Sequence, residues 1–379
     1  MKKLKKILKR MFLYLAIVIA ALFLSYLAFV NFYPSFGGDV SQERKAQYQT
    51  SEQFSDGKFV NTKAGVPADA SFSEMLSIAR KMLFQKIENG RPKSDLKVQE
   101  IDSAEVATYN GGARLIWFGH SALLLQMDGK NILIDPMFGN VAAPHHWFGT
   151  SRFNKELPIT IDKLPKIDAV LISHDHYDHL DYGSIKLLKS KIESYIVPLG
   201  VGVHLEAWGI DSDQITELDW WDEVIFKNIK LACTPAQHFS GRKFSNSQST
   251  LWSSWVISSE SANLYFSGDG GYGTHFKDIG EKYGPFDLAL LECGQYNKMW
   301  PDIHMFPEET AQAGVDVKAE VIMPIHWGAF KLALHSWTDP IERVIKKSKE
   351  LNIPVIAPEI GASIQINSHQ KSNTNWWLF

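Results

Sequence analysis

Cysteine is scarce in this chain, and neither sign of charge is in marked excess. Only Cys233 and Cys293 occur among 379 residues, and neither stands in a C-x-x-C or other metal-binding spacing. A disulfide framework is therefore excluded. The formal net charge of −3 gives no reason to expect nucleic acid as a partner. Apolar residues are plentiful instead, at 45% with 12% aromatic, which is enough for one large core or two smaller ones.

The longest apolar run lies near the N-terminus. Residues 1–10 carry six Lys or Arg and no acid, and residues 11–30 contain no charged side chain. This run matches the roughly 20 residues of a membrane-spanning helix. A cleaved signal peptide is the alternative, but its apolar region is only about 7–15 residues long and ends in a small-x-small site. We therefore predict an uncleaved transmembrane anchor.

The orientation of this anchor follows from its flanking charges. Basic residues before the span keep residues 1–10 in the cytoplasm and send the rest of the chain to the outer side. In a bacterium, that side is the periplasm or the cell exterior. The predicted localisation is the cell membrane, with a single span.

The stretch after the anchor, residues 31–109, has weak patterns. Its first half is rich in Gly, Ser, Gln and Asp and is predicted to be an extended linker, partly pinned by its aromatic residues. Apolar residues then recur at helical spacing from Met75 to Ile87, which predicts a helix for packing or for the membrane surface. No chemical role follows for this membrane-proximal section.

Short apolar strands separated by Gly, Pro and Asp begin near Ala113. Helical stretches are interleaved with them at 183–191, 273–283 and 307–317. This arrangement indicates two sheets covered by helices, in an α/β or α+β layered domain over residues 110–365. Residues 366–379 are predicted to be a C-terminal tail.

Potential metal ligands cluster in AVLISHDHYDHLDY, residues 169–182, directly after a predicted strand. More His and Asp residues follow three other predicted strands, and loops at strand ends commonly converge on one rim. The seven candidates are His174, His176, Asp178, His179, His238, Asp269 and His326. Zinc binds imidazole nitrogen and carboxylate oxygen, and a catalytic site leaves a position for water. A lone His is more often a solvated or core residue, but this combination predicts a dinuclear metal site.

The spacing H-x-H-x-D-H at residues 174–179 is the signature of the metallo-β-lactamase superfamily, which this sequence resembles. Longer segments are similar to the family of phospholipases D that hydrolyse N-acylphosphatidylethanolamine. They include WFGHSALLLQMDGKNILIDPMF, TPAQHF, FSGDGGYG, HMFPEE and MPIHWGAF, in the family's order. The resemblance covers roughly residues 110–361. It implies an α+β fold, a four-layer αβ/βα sandwich, with a site for two Zn²⁺ ions at its edge.

The resemblance also implies how the ligands divide. His174, His176 and His238 would hold one zinc, Asp178, His179 and His326 the other, and Asp269 would bridge the two. Iron is the alternative metal, but diiron relatives that reduce oxygen carry Glu where this chain has His176. The residues implied in catalysis are Asp178, Asp269 and His304. For His304 that role is contact with substrate phosphate, with helix capping or a buried structural role as the alternative.

Neighbouring residues have more open assignments. His120 and Asp135 are predicted to orient metal-bound groups, although a purely structural role is an equal alternative for His120. Arg242 and Lys243 are candidates for contact with anionic phospholipid headgroups, with a solvated charge pair as the alternative. Asp175 is predicted to point away from the metals, as a spacing or solvent residue.

The predicted function is that of a membrane-anchored, zinc-dependent phosphodiesterase of phospholipase D type. It would hydrolyse N-acylphosphatidylethanolamine-like lipids to phosphatidic acid and an N-acylethanolamine, with membrane phospholipid and the membrane itself as partners. A hydrolase of a lactone or a soluble phosphodiester is one alternative, and a non-catalytic membrane-anchored binding protein is the other. Homodimer formation is left open, and nucleic acid is not expected as a partner.

Overall fold

The computed structural model describes residues 2–63, 72–367 and 375–378. The helices of that part of the chain are α1 (Lys2–Phe32), α2 (Gln42–Gln47), α3 (Phe72–Phe84), α4 (Ser103–Thr108), α5 (Tyr182–Leu188), α6 (Gly202–Ala207), α7 (His275–Lys282), α8 (Pro307–Asp316) and α9 (Asp339–Leu351). Its strands are β1 (Phe54–Ser55), β2 (Lys58–Phe59), β3 (Arg114–Trp117), β4 (Leu123–Met127), β5 (Lys130–Ile134), β6 (Ile167–Leu171), β7 (Ile192–Pro198), β8 (Ile215–Leu218), β9 (Glu223–Phe226), β10 (Ile229–Thr234), β11 (Ser254–Ser258), β12 (Asn263–Phe266), β13 (Leu288–Glu292), β14 (Ile322–Ile325) and β15 (Ser363–Gln365). The three helices predicted within the domain correspond to α5, α7 and α8.

Two mixed sheets form the centre of the fold. One has seven strands in the order β15-β3-β4-β5-β6-β7-β8, and the other has six in the order β14-β13-β12-β11-β10-β9. The strands from β5 to β8 run parallel to one another, as do β12, β13 and β14. Parallel neighbours need crossover connections, and α5, α6, α7 and α8 lie in four of them. The carboxyl ends of the parallel strands in each sheet therefore lie at one edge.

Side chains of the central strands alternate between two buried faces. In β3, Leu115 and Trp117 belong to the core between the sheets, whereas Ile116 belongs to the core on the opposite face. The same alternation recurs in β4, β5 and β6. Because both faces are buried, these strands are continuous apolar runs in the sequence.

The helices cover the outer faces of the sheets. Ile185 of α5 and Leu205 of α6 pack in the same core as Ile116 of the seven-stranded sheet. Ile279 of α7 and Ile341 of α9 pack with the strands of the six-stranded sheet. The order is therefore helices, sheet, sheet, helices, which confirms the predicted four-layer αβ/βα sandwich.

The long helix α1 precedes this sandwich. Within the described residues it is the one helix long and apolar enough to cross a membrane, and its most apolar window is not buried at all. Its last turns contact the domain: the Phe29 ring lies 5.2 Å from that of Phe36 and 6.2 Å from that of Phe148. Most of the helix therefore presents a free apolar surface, and one end is docked on the domain.

The stretch after α1 is pinned by its aromatic residues, as predicted, but it packs on the domain rather than remaining an extended linker. Phe36, which lies four residues beyond the end of α1, is buried. Tyr48, Phe54 and Phe59 belong to the main core cluster. Polar residues dominate the composition here, but the aromatic residues between them decide the packing. The helix predicted to follow is present as α3, which ends at Phe84.

The end of the chain also joins the domain. Trp376 and Trp377, which the sequence places in a tail, are buried. The Trp376 ring lies 5.3 Å from that of Trp327, and its Nε1 donates a hydrogen bond of 3.2 Å to the Ala357 carbonyl. Trp327 directly follows the predicted ligand His326, so the C-terminal segment packs against the residue next to a ligand and supports the site. Residues 368–374 of the predicted tail lie outside the described residues.

Candidate metal centre

The predicted ligands lie at the edge where the parallel strands end. The loop after β6 carries four of them, and single residues follow β10, β12 and β14. In the order of the chain these residues are His174, His176, Asp178, His179, His238, Asp269 and His326. Since β5 and β6 are parallel, as are β12 to β14, their ends bring residues distant in sequence to one rim. The structure thus brings all seven candidates together.

Three histidines form the first group of potential ligands. The Nδ1 atom of His176 lies 2.9 Å from Nε2 of His174 and 3.2 Å from Nε2 of His238. Three imidazole nitrogens that face each other so closely offer converging lone pairs. A cation held between them would satisfy these nitrogens, since imidazole nitrogen is a ligand that zinc takes in proteins.

The second group of potential ligands contains a carboxylate. Oδ2 of Asp178 lies 3.6 Å from Nε2 of His179 and 3.8 Å from Nε2 of His326. His120 joins this group, because its Nε2 lies 2.9 Å from the same Asp178 oxygen. His120 therefore contacts a predicted ligand directly, in agreement with the orienting role predicted for it.

Asp269 lies between the two groups. Its Oδ2 is 3.1 Å from Nε2 of His179, 3.9 Å from Nε2 of His174 and 3.8 Å from Nε2 of His238. Its Oδ1 is 3.0 Å from Nδ1 of His326. One carboxylate thus reaches ligands of both groups, which is the position that a bridging ligand requires.

Unpaired buried nitrogens show that the donor set suits a metal. Nε2 of His179 and Nε2 of His326 are buried and make no hydrogen bond. Buried polar atoms almost always have a partner, and an orphaned one calls for an explanation such as a bound ion. Both nitrogens belong to the second group of ligands, so a cation there would satisfy them.

Hydrogen bonds behind the ligands fix the direction of the rings. Nδ1 of His179 donates to Oδ2 of Asp135 at 2.6 Å, and Nδ1 of His238 donates to the Ile303 carbonyl at 2.9 Å. Each bond leaves Nε2 as the nitrogen that faces the site, which is how metal-binding histidines are commonly oriented. The role predicted for Asp135 agrees with this contact.

The pKa shifts of His174, His238 and Asp269 also suit metal binding. Burial and the neighbouring imidazoles hold the pKa of His174 well below its usual range, and burial does the same for His238. Burial alone raises the pKa of Asp269, but His179 and His326 outweigh it and hold the pKa well below its usual range. Neutral imidazoles and ionised carboxylates are the forms that coordinate cations.

The backbone around the centre is locally strained. His120, Asp135 and His326 have φ values of 55°, 41° and 65°, a region that non-glycine residues rarely occupy. Each costs on the order of 1–3 kcal/mol and persists only where surrounding contacts enforce it. Two backbone hydrogen bonds hold His120 and His326 in this conformation. His120 N donates to Trp327 O at 3.0 Å, and His326 N donates to His120 O at 2.9 Å.

Glu292 is a site residue that the sequence patterns did not single out. It is the last residue of β13, and its carboxylate is buried against the site. Its Oε1 accepts from Nδ1 of His304 at 3.2 Å, and its Oε2 accepts from the Met305 backbone at 2.9 Å. The His304 ring lies 5.3 Å from that of His238. An acid at the end of the apolar strand DLALLE was the available signal, and it resembles the signal that marks the ligands.

Arg242 is not the solvated charge of the alternative assignment, because its side chain is buried and held by backbone carbonyls beside the cavity. Its guanidinium is buried and donates to the Ser35 carbonyl from Nε at 2.9 Å and from Nη2 at 2.6 Å. It also donates to the Leu180 carbonyl at 2.8 Å and to the Asp175 carbonyl. Lys243 is instead paired with Asp39 at 2.7 Å. Arg242 therefore joins the segment after α1 to the loop that carries the ligands.

Asp175 points away from the ligands as predicted, but it does not face solvent. Its carboxylate is buried, with Oδ2 3.1 Å from Nε2 of His204 and 3.0 Å from Oγ1 of Thr250, which donates to it. Its Oδ1 accepts from the Gly241 backbone at 2.8 Å. Asp175 thus stabilises the turn between His174 and His176.

A cavity of about 1570 Å³ opens onto the centre. His304 lines it together with His176, Asp178, His238 and Asp269. Pockets for drug-sized ligands occupy roughly 300–1,000 Å³, so this space admits a larger molecule.

Comparisons with known proteins agree with this architecture. Residues 130–327 match the family model described as beta-lactamase superfamily domain. An uncharacterised protein of Mycobacterium tuberculosis is 37% identical over 348 residues, which cover 90% of this chain and 91% of that protein.

The chain belongs to the metallo-β-lactamase superfamily. As a member it is a metal-dependent hydrolase, with a His and Asp cluster able to hold metal. Among solved structures of this superfamily's fold, the metallo hydrolase Igni18 of Ignicoccus hospitalis superposes with a TM-score of 0.50 at 23% identity. It covers 66% of this chain and 97% of its own, which shows the shared fold.

Some superfamily relatives carry a specific activity in their names. The N-acyl-phosphatidylethanolamine-hydrolyzing phospholipase D 1 of Caenorhabditis elegans is 35% identical over 229 residues. The match covers 57% of this chain and 64% of the relative. The present chain thus spans somewhat less than two thirds of that enzyme.

Proposed function

We propose that the protein is a membrane-anchored, zinc-dependent phosphodiesterase of phospholipase D type that acts on N-acylphosphatidylethanolamine-like lipids. The observation that carries this proposal is the metal centre at the base of a cavity larger than small-molecule pockets. The named activity of the Caenorhabditis elegans relative supports the same substrate class.

The proposed metals are two Zn²⁺ ions. His174, His176 and His238 would hold one, Asp178, His179 and His326 the other, and Asp269 would bridge them. Imidazole nitrogen and carboxylate oxygen are the donors that zinc takes in catalytic sites. When bound, such metals supply a Lewis acid that activates water and stabilises the charge developing on a phosphate.

The side chains around the metals have their own parts in this reaction. Burial alone lowers the pKa of His304, but the Glu292 carboxylate outweighs it and raises the pKa, so the ring can carry a proton on both nitrogens. Nδ1 then donates to Glu292, and Nε2 can donate to a phosphate oxygen in the cavity. Hydrolysis forms a bond between phosphorus and a water oxygen and breaks the bond to the ethanolamine oxygen, which takes up a proton. The products are phosphatidic acid and an N-acylethanolamine.

The proposal includes the anchor and its orientation. The exposed apolar surface of α1 supports a single membrane span, and the basic cluster before it supports a cytoplasmic N-terminus. The catalytic domain then stands on the outer side of the cell membrane. Membrane phospholipid is the proposed partner of the site, and assembly as a homodimer stays a prediction.

The test uses purified full-length protein in mixed micelles with zinc. We expect N-acylethanolamine to be released from N-acylphosphatidylethanolamine, and the variants His176→Ala and Asp269→Ala to release none. Turnover of a lactone or a soluble phosphodiester without any turnover of the lipid would contradict the proposed substrate. Equal behaviour of wild type and both variants in every assay would indicate a non-catalytic protein instead.

A further inference from the structure

We propose that the anchor helix is itself a wall of the substrate-binding site, so that a phospholipid enters the cavity sideways from the membrane leaflet next to the catalytic domain. This inference rests on the proposed function and adds to it a route for the lipid. Three sets of observations support it: the lining of the cavity, the depth of that lining in a bilayer, and the way in which α1 is fixed.

The cavity joins the end of α1 to the metal centre. Tyr26, Phe29 and Val30 of α1 line it, and so do Ser77 and Ile78 of α3. Ligands of the metal centre line the same space. A lipid whose phosphate lies at the metals can therefore lay its acyl chains against the apolar end of α1.

The depth of these residues follows from the length of the span. The helix rises 1.5 Å per residue, so a hydrocarbon core about 30 Å thick takes about 20 residues. The basic cluster ends at Arg10, and a span from Met11 ends at Val30. Tyr26 then lies about 6 Å inside the boundary of the hydrocarbon. The cavity wall therefore stands where the glycerol backbone passes into the acyl chains, at the level that Tyr favours.

The end of α1 is held in this position by the domain. Phe29 packs on Phe148, and Ser35, three residues after α1, receives two hydrogen bonds from the buried Arg242. The same guanidinium bonds the Leu180 carbonyl in the ligand loop. A shift of the anchor relative to the metal centre would break these buried bonds, so the wall and the centre form one unit.

The surface beside the cavity also suits a bilayer. Phe148 lines the cavity and is 52% exposed, and its neighbour Trp147 is 80% exposed. Leu76 on α3 is 61% exposed, whereas Lys81 on the same helix lines the cavity. Exposed apolar side chains beside cations are typical of surfaces that contact membranes. Their continuity with the spanning helix identifies the lipid bilayer as the occupant of this surface.

The experiment compares Ile78→Asn with Ile225→Asn. Ile225 is 65% exposed on β9 and does not line the cavity, so it is a matched control. Each full-length variant is assayed on N-acylphosphatidylethanolamine in phosphatidylcholine vesicles and in detergent micelles, where the lipid is not confined to a leaflet. We expect the ratio of vesicle rate to micelle rate to fall at least fivefold for Ile78→Asn and to stay at the wild-type value for Ile225→Asn.

A second measurement uses only the wild-type protein. It therefore stays informative if Ile78→Asn is less stable than the wild type. A phospholipid with a diazirine near the start of its acyl chain is cross-linked to the wild-type protein in vesicles. We expect label on residues 23–33 and 72–84. Equal ratios of vesicle rate to micelle rate for the two variants would contradict the sideways route. So would label on α1 without any on α3. Either result would leave the proposed function intact. Absence of wild-type turnover in both vesicles and micelles would contradict the proposed function itself, and the route with it.

Discussion

Asp135 shows how single residues behind the ligands control the metal centre. Its carboxylate accepts from Nδ1 of His179 at 2.6 Å and from the Ser173 hydroxyl at 2.6 Å. We predict that Asp135→Asn lowers zinc affinity roughly 10–100-fold, because the amide removes the charge that orients and polarises His179. Competition with a chromophoric chelator measures the affinity. Asp128→Asn is the control, since Asp128 is exposed and also has a positive φ, of 52°; equal affinities of the two variants would refute this role.

Arg242 links the membrane segment to the ligand loop, and its replacement tests that link. Lysine keeps the charge but cannot reach the carbonyls of Ser35 and Leu180 at once. A buried carbonyl left unpaired costs about 1–3 kcal/mol, so we predict that Arg242→Lys lowers the free energy of unfolding by at least about 2 kcal/mol. Urea unfolding in detergent measures this value. Arg80→Lys, at an exposed position, should change it by no more than about 0.5 kcal/mol; similar values for both variants would contradict the account.

The outcomes for the ligands and for Arg242 show which residue roles a sequence reveals. The ligands were predictable because His and Asp at the ends of apolar strands form a local pattern. The burial of Arg242 was not predictable, because its partner Ser35 lies 207 positions away in the chain. Glu292 stood at the end of an apolar strand like the ligands, but no short motif surrounds it.

Segments outside the sandwich contribute side chains to the core, and the C-terminal segment allows the clearest test of this contribution. Trp376 is buried and packs against Trp117 and Trp327. We predict that Trp376→Ala lowers the free energy of unfolding by roughly 3–5 kcal/mol, as large-to-small changes in cores do. Leu378→Ala, with a side chain 61% exposed, is the control and should have little effect. If Trp376→Ala unfolds like the control, the segment does not belong to the core.

The strands of the sandwich were predictable, whereas the packing of the flanking segments was not. Strands buried on both faces are continuous apolar runs, so β3 to β6 can be located in the sequence directly. Between α1 and β3, single aromatics such as Phe54 and Phe59 carry the packing. Scattered anchors of this kind produce no periodic signal, so composition alone suggests a linker.

At the scale of the whole molecule, metal binding should stabilise the fold. The ligands come from both sheets, so a bound metal holds the two halves of the sandwich together. Free zinc at about 100 times the dissociation constant adds about 2.7 kcal/mol to the free energy of unfolding. We predict that chelation lowers the melting temperature of the wild type and leaves Asp269→Ala nearly unchanged. A wild-type melting temperature that does not respond to chelator would contradict the metal site.

The central claim is hydrolysis at phosphorus of a membrane lipid, and oxygen labelling tests it most directly. The full-length protein is incubated with zinc and N-acylphosphatidylethanolamine vesicles in water enriched in ¹⁸O, and the lipid products are analysed by mass spectrometry. The account predicts phosphatidic acid with one ¹⁸O in its phosphate group, together with unlabelled N-acylethanolamine in equal amount. Label in a released fatty acid, label in the ethanolamine product, or formation of diacylglycerol in place of phosphatidic acid would contradict it.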